Sequence, residues 1–197
     1  MKKLLFVFFI LFVAGTECLA QGYADKVRQD RQEYFEKLKD KVDFGPGDQV
    51  SKYLKYYDPD TSFIIKARFE IKGKAKKTEM ITSSGDRKSF VVFGELHFTV
   101  NAKKCVLQVY RSAVLTPLTR NLLFVPFKDL TSGNDTYGAG RYLDFKMEEI
   151  KGDALLIDFN KAYNPLCAYE TGFSCPVPPR ENHLKVRIEA GEKNFKE

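Results

Sequence analysis

The chain has 197 residues with a formal charge of +6, 44% hydrophobic and 14% aromatic residues, four Cys and no Trp. That composition supports one folded core and excludes a disordered, collagenous or disulfide-dense chain. The basic excess is mild and diluted by acids throughout, so it gives no reason to expect nucleic acid as a partner.

Met1-Lys2-Lys3 followed by the apolar run Leu4 to Ala14 reads as the charged and hydrophobic regions of an export leader. Eleven apolar residues are too few to span a bilayer, which takes about 20. The small residues of Cys18-Leu19-Ala20 predict cleavage after Ala20 and a mature chain over 21–197 with no transmembrane segment, periplasmic or secreted. Acylation at Cys18 would want a small residue before it, where Glu17 stands. Losing Lys2, Lys3 and Glu17 takes the 32 basic and 26 acidic residues to 30 and 25, a mature charge of +5.

From Tyr23 to Val42 the pattern is helical, because Val27, Arg31, Tyr34, Phe35, Leu38 and Val42 recur at spacings of three and four. Arg31 is the one charged member of that stripe. The Val27, Tyr34 and Leu38 side is expected to face the body of the protein, and Gly45-Pro46-Gly47 to end the helix.

Beyond Asp48 the period becomes two. Phe63 to Ile71 alternates Phe63, Ile65, Ala67, Phe69 and Ile71 against polar partners, as in a half-buried antiparallel strand. Lys72 to Lys77, dense in Lys, is expected to form a solvated hairpin tip before a strand over Lys77 to Thr82. Ser83 to Asp86 should turn into Ser89 to Phe93, Gly94 should bulge or bend, and Asn101-Ala102-Lys103 should join Glu95–Val100 to Lys104–Arg111. His97 falls opposite Leu96 and Phe98, on the solvent face, and Cys105 shares a face with Leu107 and Val109 as a buried thiol. Leu122–Val125, Arg141–Phe145, Ala154–Phe159 and Leu184–Glu189 bring the total to nine or ten short strands. The fold class expected is mainly β: a curved antiparallel sheet, barrel-like or a sandwich, with one N-terminal amphipathic helix in a single domain over 21–197.

Polar, Gly and Pro residues cluster in three C-terminal blocks, 129–143, 158–169 and 175–184. They contain Thr-Ser-Gly, Thr-Tyr, Gly-Arg-Tyr, Asp-Phe-Asn, Tyr-Asn-Pro, Cys-Ala-Tyr, Cys-Pro and Glu-Asn, and are followed by Ala190-Gly191-Glu192-Lys193. As an ordered set these resemble the domain-of-unknown-function family 1684, over nearly the whole mature chain, and with the leader they imply an exported bacterial member. The resemblance implies a shared fold and a shared task for these polar positions, and it supplies no reaction. His183 departs from the Arg that many relatives would carry there.

Cys167 and Cys175, with only seven residues between them and in an oxidising compartment, are expected to form a disulfide. A zinc site of Cys167, Cys175 and His183 would lack a fourth ligand, and no metal or cofactor is expected. Arg141 carries a fork of donors suited to a carboxylate, with Asp129, Asp135, Asp158 and Glu181 as the acids that could meet it. Two readings stand beside each other. Arg141 is either a buried clamp between loops, or it faces a cleft walled by Tyr137, Tyr142 and Tyr163 and receives an anionic group. Asn160 and Asn164 suit loop backbone satisfaction or ligand contact. Asp158 and Glu181 could act as an acid pair if they met. Gly138-Ala139-Gly140 suits a tight turn into a strand better than an anion nest. No nucleophile elbow, phosphate loop, dinucleotide fingerprint or His-Glu-x-x-His is present. The expected function is therefore binding of a small anionic ligand or an envelope partner through Arg141, Asp158, Asn160, Asn164, Glu181, Asn182, Tyr137 and Tyr163. A hydrolase using acids of the same loops and a purely structural envelope module are the alternatives.

Overall fold

The computed structural model describes residues 2–44 and 54–195, with side chains described for 21–44, 54–73 and 77–195. The helix α1 (Lys2–Lys39) precedes six strands, β1 (Ile64–Ile81), β2 (Arg87–Val100), β3 (Lys103–Ser112), β4 (Leu122–Phe127), β5 (Arg141–Lys146) and β6 (Ala154–Asp158). They form one antiparallel sheet in the order β5-β4-β3-β2-β1-β6, curled into a half-barrel. The expected helix stop at Gly45-Pro46-Gly47 lies outside the described residues.

The periodicity predicts nine or ten short strands and six are formed, because turn-like residues inside long strands make bulges instead. Lys72 to Lys77 is no hairpin tip. β1 runs straight through it, and the register steps from Ile71↔Gly94 to Lys76↔Val92, so extra β1 residues loop out without ending the pairing. Ile71, expected on the buried face, is 63% exposed where this shift begins. β2 likewise continues through Gly94, whose position a side chain could not share. A Cβ there would lie 2.6 Å from the Phe69 ring and 2.8 Å from the Glu70 carbonyl. The β2–β3 turn holds Asn101 and Ala102 at φ 48° and 61°, the left-handed pair that a two-residue hairpin needs.

Inside the curl, Leu96, Leu107, Val109, Leu123, Val125, Phe127, Ile157 and Phe159 are fully buried. Residues 184–190 fill the remaining space. They alternate as strand residues do, with Leu184, Val186, Ile188 and Ala190 buried and Lys185, Arg187 and Glu189 exposed. This segment is not one of the six strands, contrary to the periodicity. Its backbone bonds to the sheet are few: the Leu184 amide donates to the Lys128 carbonyl and the Leu130 amide to the Val186 carbonyl. On the other side of β6 the chain returns to the far edge, where Tyr163 and Tyr142 exchange both backbone bonds at 2.9 and 3.1 Å.

α1 packs across the C-terminal loops. Val27 and Leu38 are buried, Tyr34 meets Tyr163 at 5.5 Å between ring centroids, and Leu38 and Val42 form a second cluster with Tyr169, Phe44 and Phe195. Cys167 and Cys175 are joined by a disulfide, and Cys105 is a buried free thiol. The bridged loop docks on the β1–β2 turn, where the Ser83 amide donates to the Cys175 carbonyl and the Val177 amide to the Ile81 carbonyl, both at 2.8 Å. Replacing both cysteines (Cys167→Ser/Cys175→Ser) should lower the urea unfolding free energy by about 2–3 kcal/mol, the loop-closure contribution of so short a ring. An unchanged midpoint would show that docking alone holds the loop.

Candidate functional site

The polar blocks converge on the segment that fills the half-barrel. An extended chain presents alternate carbonyls on one side, and outside a sheet they have no partner strand. Arg141, the first residue of β5 and 0% exposed, takes that place. Its Nη1 donates to the carbonyls of Ala190 (2.5 Å) and Glu192 (3.2 Å), and Nη2 donates to Ile188 (2.9 Å). Asp129 completes the arrangement, accepting from the Ile188 amide at 2.7 Å, from Thr131 Oγ1 and from Arg141 Nη2 at 3.4 Å. The guanidinium also lies 5.3 Å above the Phe127 ring. Asp135, another acid considered for Arg141, pairs instead with Arg187 near the surface. Gly138-Ala139-Gly140 forms the turn that delivers Arg141. Gly140 sits there at φ 103°, where a Cβ would come within 2.6 Å of the Phe127 carbonyl oxygen.

The asparagines do similar work. Asn182 accepts from the Gln108 amide (2.7 Å) and donates to the carbonyls of Gln108 (2.9 Å) and Pro126 (2.7 Å), so one side-chain amide serves two strands. Asn160 pairs in the same two-way fashion with the backbone of Asp60. Asp158 accepts from Tyr23 of α1 and from the Asn160 amide. Glu181 is exposed on a short 3-10 turn, Arg180–Asn182, beside β3, whereas Asp158 ends β6 at the sheet edge, so the two acids share no site. His183 bonds to the Pro178 carbonyl, and with both cysteines in the disulfide no zinc set of these three residues remains. His97 lies beside Glu95 at 3.4 Å on the outer face of β2. Tyr137 donates to the Cys167 carbonyl.

Glu192 was not singled out from the sequence, although its Ala-Gly-Glu-Lys context was. It is fully buried and accepts from the Asn164 amide (2.9 Å) and from Tyr169 Oη (2.6 Å). Burial pushes its carboxyl up to about 7, against the lowering effect of Tyr169 and Asn164. Asn164, also fully buried, donates to the Lys193 carbonyl, while its Oδ1 has no hydrogen-bond partner among the described residues.

Asn164 also lines a groove of about 560 Å³ between α1, the outer face of the sheet and the disulfide loop. Its floor is a run of touching rings: Phe90 to Phe124 (5.6 Å), Phe124 to Tyr142 (4.8 Å), Tyr142 to Tyr163 (5.8 Å) and Tyr163 to Tyr34. Lys37 of α1, Lys41 in the turn after it and Lys88 of β2 stand around it, with Asp144 as the one acid in the lining. Tyr163 Oη donates to Asp144 at 2.6 Å, and Lys88 to the Ser174 carbonyl. Desolvation raises the Asp144 carboxyl, partly offset by that Tyr163 bond and by Lys41. Of the residues expected to bind, the structure thus brings Tyr163 and Asn164 to this groove, while the side chains of Arg141, Asn160 and Asn182 are hydrogen-bonded to protein groups. The lysines and Phe90 and Phe124 were missed. A signal was present: Leu122-Leu123-Phe124-Val125 is apolar on both strand faces, and on the outer one Phe124 meets the groove while Leu122 stays exposed.

Two consequences can be measured. Arg141→Met strips three buried carbonyls and Asp129 of their partner and should cost at least about 3 kcal/mol of stability; an unchanged melting temperature would refute the clamp. Because the folded state raises the Glu192 pKa from 4.5 to about 7, its contribution to stability is full below about pH 4.5 and lost as pH rises through about 7. Glu192→Gln should remove that slope, so that between pH 4 and pH 8 the wild type loses about 3 kcal/mol more than the variant in urea unfolding.

No curated protein matches the chain. Among solved structures it is similar to the solution NMR structure of an uncharacterized protein from Haloarcula marismortui, at 27% identity and a TM-score of 0.60, covering 86% of this chain and 97% of that one. The model of a family described as a protein of unknown function, DUF1684, matches residues 51–193, and the chain belongs to that family.

Proposed function

We propose that this protein binds a small anionic amphiphile, a carboxylate or phosphate on an apolar or aromatic body, in the groove between α1 and the outer sheet face. The observation that carries this reading is the pairing of a continuous aromatic floor with three lysines at one cavity. Lys41 already acts on Asp144, the one acid of the lining, and the three lysines against that single acid leave the groove with an excess of positive charge for a ligand. The volume lies within the range of small-molecule sites, about 300–1,000 Å³. The unpartnered Oδ1 of Asn164 would accept from a hydroxyl or amide on the same ligand. The leader-like N-terminus and the disulfide fit an oxidising compartment outside the cytoplasm, periplasmic or secreted.

Calorimetric titration with 2-naphthoate and its neutral partner 2-naphthamide tests the proposal. Naphthoate should bind saturably, naphthamide about tenfold more weakly, and Lys37→Ala/Lys41→Ala/Lys88→Ala should erase the difference. Equal binding of the two compounds, or no binding of either, would overturn it.

A further inference from the structure

Arg31, the one charge in the apolar stripe of α1, takes no part in the groove. Its side chain lies 4.4 Å above the Tyr56 ring, and its contact with the Asn160 carbonyl is long, at 3.5 Å. Arg31 Nε and Tyr56 Oη are both buried, and neither has a hydrogen-bond partner among the described residues. Both residues line a separate cavity of about 160 Å³ between α1 and the chain that follows β6, with Val27, Asn160 and Ala162. Tyr34 and Tyr163 form the wall shared with the groove. Asp30 also borders the cavity, but Lys161 holds it at 3.1 Å, and the acid that acts on Arg31, Asp58, is not part of the cavity lining.

Two buried donors left without acceptors are costly in a folded protein, on the order of 1–3 kcal/mol each and more for a charged group. Here the two residues that carry them, one cationic and one neutral, line the same space, the size of about five waters. We infer that this cavity is a second binding site, for a single oxyanion group, with Arg31 and Tyr56 donating to its oxygens. A carboxylate or a phosphate fits the volume and the donor set, whether free or as the head of a larger molecule. Desolvation lowers the Arg31 pKa and the acidic groups around it, Asp58 among them, offset this only in part, a deficit that an anion in the cavity would reverse. The site does not rest on the groove reading, because none of the groove lysines lines it.

The test is an NMR titration of the intact protein that follows the Arg31 Nε–H resonance with inorganic phosphate in one arm and acetate in the other. A saturable shift is expected, and the arm with the higher affinity identifies the head group. Tyr56→Phe, which keeps the ring under Arg31, should weaken binding of that anion about tenfold. Arg31→Gln should abolish the stabilisation that the anion gives in thermal unfolding. Lys37→Ala/Lys41→Ala should leave the titration unchanged, which separates this site from the groove. The inference is overturned if neither anion shifts the resonance saturably, if Tyr56→Phe binds as the wild type does, or if the response disappears with the groove lysines.

Discussion

A half-barrel has an open side, and the segment that fills it brings backbone donors and acceptors into a space where no strand can pair them. The protein meets that constraint with side chains. Arg141 and Asp129 stand where a neighbouring strand would, collecting the carbonyls of Ile188, Ala190 and Glu192 and the amide of Ile188. Asn182 and Asn160 do the same for Gln108 and Asp60. Buried backbone groups must be satisfied, and a guanidinium or an amide is the compact means of doing so where geometry excludes a ladder. The polar C-terminal blocks therefore hold the core together, and this explains how so many charged and amide groups lie inside it.

Much of this was legible in the sequence. The period of two placed Leu96, Leu107, Val109 and Cys105 on the buried face, and the spacing of Cys167 and Cys175 anticipated their bridge. Strand number was not legible, because a basic run and a Gly read as turns when local sequence is weighed alone. Pairing across β1 and β2 carried both strands through their irregularities. Residues 184–189 have the strand period for the reason strands have it, one buried face, yet backbone pairs only Leu184 and Val186, and Ile188 is held by the side chains of Arg141 and Asp129. Periodicity reports burial and cannot report what the backbone bonds to. The choice between clamp and cleft for Arg141 likewise depended on what surrounds it, which distant chain segments decide.

With the inner face closed, the openings lie on the outside, under α1. The helix covers the outer sheet and the loops after β6 only in part, and the two cavities beneath it are bordered by Arg31 in one and by Lys37 and Lys41 in the other. The aromatic rings beneath provide apolar surface on which an organic body can rest, and the cations above provide the charge to hold an anion there. Two cavities divided by Tyr34 and Tyr163 give the chain its candidate chemistry, and neither uses the Arg141 network.

The grip of β5 on residues 188–192 also sets an order of events in folding. Those carbonyls lie 47 to 51 positions beyond Arg141 in the chain, so contacts that complete the core form only across long sequence separations. A nascent chain that has delivered all six strands still exposes the concave apolar face until residues 184–192 arrive. Such high contact order slows folding and prolongs the time in which that face is open to aggregation or to chaperones. Residues 184–192 thus act as the closing step for a sheet whose strands were complete well before them.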